Sequence, residues 1–212
     1  SHTRTHDLIH TVLDLRFDWE KEQVLGKAML TLSPYFYPSS AVTLDAKGFE
    51  LESIRLKGAA TGLDYEYDGQ QVTIDLGRTY QKEEEYTLEI AYVASPAASG
   101  GSAAITSDKG LFFIDPRDED PDKPTQIWTQ GETEHNSRWF PTIDKPTERT
   151  TTEMFVTVDE RYQVLSNGIL ESAETKEGQK TWHWVMDQPH APYLFMLAIG
   201  EFAVVEETWE GK

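Results

Sequence analysis

The chain has 212 residues, enough for one large all-β domain or two small ones, and enough to bury a core without disulfides. Nineteen basic against thirty-seven acidic residues give a formal net charge of −18. This balance argues against a nucleic-acid partner and against an anionic membrane surface, both of which require a basic face. The absence of cysteine excludes disulfides, thiol catalysis and thiolate metal ligands, but leaves the compartment open, cytoplasmic or exported.

Alternation of apolar and polar residues, the pattern of half-buried strands, begins near the amino terminus. Leu13, Leu15 and Phe17 alternate with charged residues, and the pattern resumes from Val24 to Leu32 after a polar corner, which predicts a hairpin. Similar runs begin near residues 42, 54, 72, 86, 154 and 182. No apolar run reaches the roughly 18 residues of a membrane-spanning helix, so we expect no membrane insertion by this segment.

Helical periodicity is almost absent, and the best candidate is a single turn at 146–149. The apolar stretch 193–200 alternates on neither face and predicts a strand buried on both sides. Asn167-Gly168 and Asp68-Gly69 suit tight hairpin turns. These patterns predict an all-β fold of two packed antiparallel sheets with little or no helix.

Three segments follow neither periodicity. Residues 95–107 are small and uncharged and predict a long loop, 115–124 is acidic and rich in proline, and 125–149 is dense in aromatic and polar residues. Sequence that breaks the local rules is where a functional or partner surface is expected. The chain ends at residue 212 without a terminating element, from which we expect a fragment of a longer protein.

Two patterns resemble metal sites. His2, His6 and His10 would align on a helix, but the surrounding threonines favour a strand, where successive histidines lie about 13 Å apart. We therefore favour a polar terminus over a zinc site.

A calcium loop is equally poorly supported, although Asp118, Asp120 and Asp122 resemble the start of one. Lys123 stands where glycine is required and Thr129 where glutamate is required, so a solvated acidic loop is the better interpretation.

Catalytic motifs are missing from this sequence. Glu132 and Glu134 lie two positions apart, a poor arrangement for an acid/base pair, which usually faces across a cleft. The sequence has no GxSxG, P-loop or HExxH motif. We expect this chain alone to be catalytically inactive, with no catalytic residue of its own.

The segment 127–132 (IWTQGE), with RWFP at 138–141 and DKP at 144–146, resembles the amino-terminal domain of the aminopeptidase N and leukotriene A4 hydrolase family of zinc metallopeptidases. The similarity extends to FDWEKEQVLGKAMLTL at 17–32, YTLEIAY at 86–92, GLFFIDP at 110–116, YQVLSNGIL at 162–170 and APYLFMLAIGEF at 191–202. It covers essentially the whole chain. Thr142 and Arg149 stand where many relatives carry Cys and Lys, both mild departures.

The resemblance implies a saddle-shaped antiparallel β-sandwich that packs on a thermolysin-like catalytic domain. Residues 1–212 would form a single amino-terminal domain, with the catalytic zinc domain after residue 212, because the HExxH and GxMEN motifs are absent here. It implies zinc in the full-length enzyme only, with none bound by this segment. The implied partners are this catalytic domain and a peptide with a free amino terminus.

Substrate recognition is the role that the resemblance implies for Gln130, Gly131 and Glu132. A carboxylate binds an α-ammonium group through short charge-assisted hydrogen bonds, which lets an exopeptidase exclude internal peptide. Gln130 would line the pocket, and Gly131 would let the main chain approach the ligand. The structural alternative is that Glu132 pairs with a basic residue on its own loop, such as Arg138.

Two further expectations concern the same region. Asp144 and Pro146 are interpreted as loop-shaping residues, since aspartate accepts backbone N–H bonds and proline fixes a turn. If the domain docks on a catalytic partner, Trp128, Trp139 and Phe140 should form a partly exposed patch beside Gln130 and Glu132.

A different class of function, a stand-alone β-sandwich that binds carbohydrate or protein, is suggested by the aromatic residues. Tryptophan side chains stack on sugars when they are exposed, although tryptophans at strand spacing are more often core or interface. The tryptophans concerned are Trp128, Trp139, Trp182, Trp184 and Trp209. A third possibility is a chain that keeps the scaffold but has lost catalysis and acts through interactions.

Overall fold

The computed structural model describes residues 4–96, 109–205 and 207–208, and in them the all-β prediction is confirmed. The described strands are β1 (His6–Asp18), β2 (Gln23–Pro34), β3 (Ser39–Asp45), β4 (Phe49–Leu56), β5 (Tyr65–Tyr67), β6 (Gln71–Tyr80), β7 (Tyr86–Ala94), β8 (Leu111–Ile114), β9 (Gln126–Thr129), β10 (Thr150–Asp159), β11 (Gln163–Ser166), β12 (Ile169–Lys176), β13 (Gln179–His190) and β14 (Leu197–Gly200). In the described residues, 3₁₀ turns lie at Asn136–Arg138 and Pro192–Leu194. Most of the expected loop 95–107, together with His2 and Trp209, falls outside the described residues.

The described strands form three sheets rather than the two expected. The largest has seven strands in the order β12-β13-β10-β1-β2-β7-β4. A four-stranded sheet has the order β11-β14-β9-β8, and a three-stranded sheet the order β3-β6-β5. Pairing is antiparallel except between β1 and β10, which run parallel with Leu13 opposite Met154. Parallel neighbours need a long connection, and here most of the chain separates the two strands.

The predicted first hairpin is confirmed as β1 and β2, with Leu13 opposite Ala28 and Phe17 opposite Val24. Its alternation has the expected physical cause, because one face of the hairpin is fully buried. Leu13, Leu15 and Val24 have no exposed surface. Burying such a side chain contributes about 1.5–3 kcal/mol relative to leaving it in water, so this face anchors the seven-stranded sheet on the core.

The prediction of one strand over 193–200 was wrong in its first half. Only Leu197–Gly200 is a strand, and it lies between β11 and β9 inside the four-stranded sheet. Pro192 starts a 3₁₀ turn instead, with Leu194 at 49% exposure. Proline fixes φ and cannot donate to a strand ladder, so the backbone turns before it can pair.

The helical turn expected at 146–149 is also absent: residues 146–147 form a simple turn and 148–149 have no regular structure. Pro146 therefore shapes a turn without starting a helix. Along the described parts of the chain, no helix is both long and apolar enough to cross a bilayer.

Burial of His6 predicts a loss of stability in mild acid. His6 is 2% exposed, and burial lowers its pKa to about 4 from the ordinary 6.5. Between these two values the unfolded chain binds a proton that the folded chain does not, so stability falls as pH falls through this window. The full difference amounts to up to about 3 kcal/mol at pH 4.

The measurement is urea unfolding between pH 7 and pH 4 for the natural chain and for His6→Gln, whose side chain does not titrate. We expect a shallower loss of stability in the variant. Identical pH profiles for the two chains would show that His6 does not contribute to acid sensitivity.

Candidate functional site

The segment 129–132 leaves the end of β9, a strand held between β8 and β14. The Gln130 main-chain N–H donates to the Gly110 carbonyl at 2.8 Å, which extends the β8–β9 ladder by one bond. Gln130 is half-buried and Glu132 is exposed. The three proposed recognition residues therefore start from a rigid strand and end at the molecular surface.

Glu132 has no hydrogen bond or ion pair within the described part of the chain. In particular, no bond joins it to Arg138, the partner that the structural alternative named. The carboxylate is therefore exposed and available to a ligand that approaches from outside.

Gly131 is buried and closely packed. A Cβ at this position would lie 2.4 Å from Asn136 Nδ2 and 2.5 Å from the Tyr193 carbonyl oxygen. Both distances are below any normal carbon contact, so the loop passes here only because residue 131 has no side chain. A main-chain bond from His135 N–H to the Gly131 carbonyl, at 2.9 Å, then closes the loop on itself.

Asn136 fastens this loop to the four-stranded sheet. Its side chain has no exposed surface, and Nδ2 donates to the carbonyls of Pro192 (2.8 Å) and Phe195 (3.1 Å). Its Oδ1 accepts the Trp139 indole N–H at 2.8 Å. Sequence reasoning missed this residue, because its partners lie 56 and 59 positions away and no local pattern marks them.

Asp144 shapes the loop as predicted. Its Oδ2 accepts the Ser137 main-chain N–H at 2.9 Å, and its own N–H donates to Asp45 Oδ2 at 2.9 Å. The main chains of Asp45 and Thr142 exchange two further bonds, of 2.7 and 3.1 Å. Burial raises the pKa of Asp144, against the opposing effects of the Ser137 bonds and the Lys47 charge. This carboxylate lies inside the fold and has a positioning role.

The exposed patch expected from Trp128, Trp139 and Phe140 is wrong. Trp139 and Phe140 have no exposed surface. Phe140 stacks on Phe195 with ring centroids 4.9 Å apart, while Trp128 is half-buried and stacks on Phe112 at 4.8 Å. The tertiary contacts place two of the three rings in the core, where they hold the loop against the four-stranded sheet.

Nor do the tryptophans form a sugar-binding platform in the described residues. Trp182 is buried and Trp184 is half-buried, so neither side chain is exposed. The large aromatic side chains that are exposed there are Phe36, Tyr37, Tyr65 and Phe202.

Metal ligands do not converge anywhere in the described residues: no three His, Asp or Glu side chains are grouped to hold an ion. His10 lies on β1 and bonds Thr151 at 2.7 Å, and Asp120 pairs with Lys123 at 2.8 Å. The residues present here do not fit a zinc ion, so no reaction step is assigned to a metal in this domain.

Comparison with known proteins identifies the family. Residues 4–194 match the family model of the peptidase M1 N-terminal domain. The chain belongs to this family. Over 209 residues this domain is 26% identical to aminopeptidase N of Haemophilus influenzae, a match that covers 97% of the chain and 22% of that protein.

One other curated relative and one solved structure extend the comparison. Transcription initiation factor TFIID subunit 2 of Gallus gallus is 22% identical over 241 residues, covering 97% of this chain and 20% of that protein. The fold matches an M1 zinc metallopeptidase of Deinococcus radiodurans, solved as a mutant bound to a Tyr-Ser-Ala substrate, with a TM-score of 0.75 and 20% identity over 93% of this chain and 43% of that one. This chain spans about a fifth of the length of the Haemophilus influenzae and Gallus gallus proteins.

Replacing Asn136 by Ala should lower the free energy of unfolding by roughly 3 kcal/mol or more, because two carbonyls and an indole N–H lose a buried partner. Asn167→Ala is the matched control, since Asn167 also makes two bonds to the neighbouring segment 194–196 but lies nearer solvent. In Asn167→Ala water replaces the lost partner, so the free energy of unfolding should fall by only about 1 kcal/mol. Equal losses in urea unfolding would contradict the assignment of Asn136.

Close packing at Gly131 predicts that Gly131→Ala destabilises the domain by about 1–3 kcal/mol through overpacking. Gly62→Ala is the control, because the nearest atom to a Cβ there is the Ile54 carbonyl oxygen at 3.4 Å. Thermal unfolding of both variants checks this, and a melting temperature of Gly131→Ala equal to that of the control would refute the steric explanation.

Proposed function

We propose that this domain is the substrate-recognition part of a zinc-dependent aminopeptidase that removes amino-terminal residues from peptides. In this proposal Gln130 and Glu132 bind the free α-amino group. The observation that carries it is the exposed Glu132 carboxylate, which has no partner among the described residues and lies three positions after the end of β9 in a peptidase M1 N-terminal domain. The peptide-bound Deinococcus radiodurans relative adds support, since its fold covers nearly the whole of this domain.

Electrostatics explain why a carboxylate suits this role. An α-amino group has a pKa of about 7.7–8.0, so most peptides present a cation at neutral pH. A charge-assisted N⁺–H···O⁻ bond is roughly twice as strong as a bond between neutral groups. An internal peptide nitrogen carries no such charge, so the same carboxylate selects chain ends.

Gln130 and Gly131 complete the proposed subsite. Gln130 offers one neutral donor group and one acceptor beside the carboxylate. Gly131 sets the separation of the two side chains, because its close contacts with Asn136 and Tyr193 leave the main chain little freedom. The proposed role of this domain is therefore to bind and orient the peptide.

Hydrolysis would belong to a catalytic domain after residue 212, whose zinc ion would supply an activated water. The present domain would be the partner of that catalytic domain, and the amino end of the peptide would lie between them. The proposal involves no nucleic acid and no membrane insertion by this domain.

Glu132→Gln in the full-length enzyme tests the recognition role. Loss of one member of a desolvated charge pair costs about 2–5 kcal/mol, so kcat/KM for an aminoacyl anilide should fall by about 30-fold to several thousand-fold. Glu66→Gln, an exposed glutamate on β5, is the control and should leave kcat/KM unchanged. Unchanged kcat/KM in Glu132→Gln would remove Glu132 from the mechanism.

The domain assignment has its own test. The isolated chain should not hydrolyse aminoacyl anilides, with or without added zinc, and the coding sequence after residue 212 should contain HExxH. Robust turnover by the isolated chain, or a stop codon at this point, would contradict the assignment.

A second candidate is a scaffold that acts through protein interactions without catalysis. The similarity to a relative named as a transcription initiation factor favours it, because that name describes no peptidase. The two candidates differ in the downstream sequence: a zinc motif with intact ligands supports the enzyme, and a motif with broken ligands supports the interaction protein.

A further inference from the structure

Glu134, two residues after Glu132, is held by two lysines that come from different parts of the chain. Lys145 Nζ lies 2.6 Å from Glu134 Oε2, an ion pair between half-buried side chains. Lys47 Nζ donates to the Glu134 main-chain carbonyl, also at 2.6 Å. One residue is thus held through both its side chain and its backbone.

The two lysines connect the loop at residues 130–145 to the three-stranded sheet. Lys47 lies two positions after the last residue of β3, and its main-chain N–H donates to the Ser137 carbonyl at 2.8 Å. Lys145 follows Asp144, which is itself bonded to Asp45 at the end of β3. Burial opposes the charge of Lys145, but the Glu134 bond and the carboxylates of Asp45 and Asp144 outweigh it and raise the pKa of Lys145.

Asn136 fastens the same loop to another part of the fold, through the carbonyls of Pro192 and Phe195, which precede β14 of the four-stranded sheet. The loop is therefore fixed to two sheets. Glu132 lies within the stretch that these contacts hold, between Gly131 and Glu134. Glu132 itself keeps no partner within the described chain, so its position depends on these neighbours.

Stability alone does not account well for the Lys145–Glu134 pair. The side chains are 22% and 39% exposed, and pairs this accessible to solvent contribute about 0–1 kcal/mol. Misplacing a substrate-binding group by about 1 Å, in contrast, can cost as much as 100-fold in rate. The arrangement can thus matter far more for substrate binding than for folding.

We propose that Lys145 and Lys47, acting through Glu134, are positioning residues that set where the Glu132 carboxylate meets the amino terminus of the substrate. This inference rests on the function proposed above and names the residues that make its recognition site rigid.

The test uses the full-length enzyme with Lys145→Met, which keeps an apolar stem and removes the charge. We expect kcat/KM for an aminoacyl anilide to fall about 10-fold, with the loss mainly in KM and the melting temperature within about 2 °C of the natural enzyme. Lys145→Arg should restore most of the activity, since it retains a cation opposite Glu134. Lys123→Met removes an exposed pair with Asp120 and should have no effect.

A double-mutant cycle separates positioning from a general structural role. In a Glu132→Gln background, Lys145→Met should lower kcat/KM less than 2-fold further, because the group that it positions is already gone. Glu134→Gln, which keeps the carbonyl bonded to Lys47, should reproduce the effect of Lys145→Met and serves as the second variant if the latter folds poorly.

The outcomes distinguish the two proposals. If Glu132→Gln lowers kcat/KM while Lys145→Met and Glu134→Gln do not, the positioning role is wrong and the proposed function stands. Equal losses from Lys145→Met in both backgrounds would also overturn the positioning role. If Glu132→Gln has no effect, the proposed function itself fails.

Discussion

The loop at residues 130–145 is fastened by one fully buried side-chain amide, that of Asn136. Asn136 uses both Nδ2 hydrogens and Oδ1 within the protein, and its three partners are two carbonyls from 192–195 and the Trp139 indole. A buried polar group costs free energy unless it is fully paired, so these bonds permit one arrangement of the loop and penalise others. The close contact between Gly131 and the Asn136 side chain then transmits this restraint to the residues that face the solvent.

Two kinds of interaction stabilise different parts of this fold. Apolar alternation builds the sheets, with β1 and β2 burying one continuous face. Polar and charged contacts then place the irregular segment 130–145 between the three-stranded and four-stranded sheets. Asp144, Lys47 and Lys145 act on the side of β3, and Asn136 acts on the side of β14. A loop fastened to two sheets loses little further conformational entropy if its exposed carboxylate binds the ligand that we propose.

Sequence reasoning predicted a large part of this structure. Period-two alternation predicted the all-β class and the first hairpin, and the segment IWTQGE with its flanking motifs identified the family that the comparison confirms. It also predicted that Asp144 accepts a backbone N–H bond. It did not predict the third sheet, the 3₁₀ turn at Pro192–Leu194, or the burial of Trp139 and Phe140. The recognition role of Gln130, Gly131 and Glu132 stays a prediction.

Local spacing is enough to show which residues prefer a half-buried strand, since that preference depends on neighbours one and two positions away. Which strands share a sheet, and which aromatic rings reach the core, depends instead on contacts between distant segments. Phe140 meets Phe195, and Asn136 meets Pro192, across more than fifty residues of chain. Such contacts depend on how the sheets pack rather than on local spacing, and they leave Glu132 exposed while Trp139 is buried.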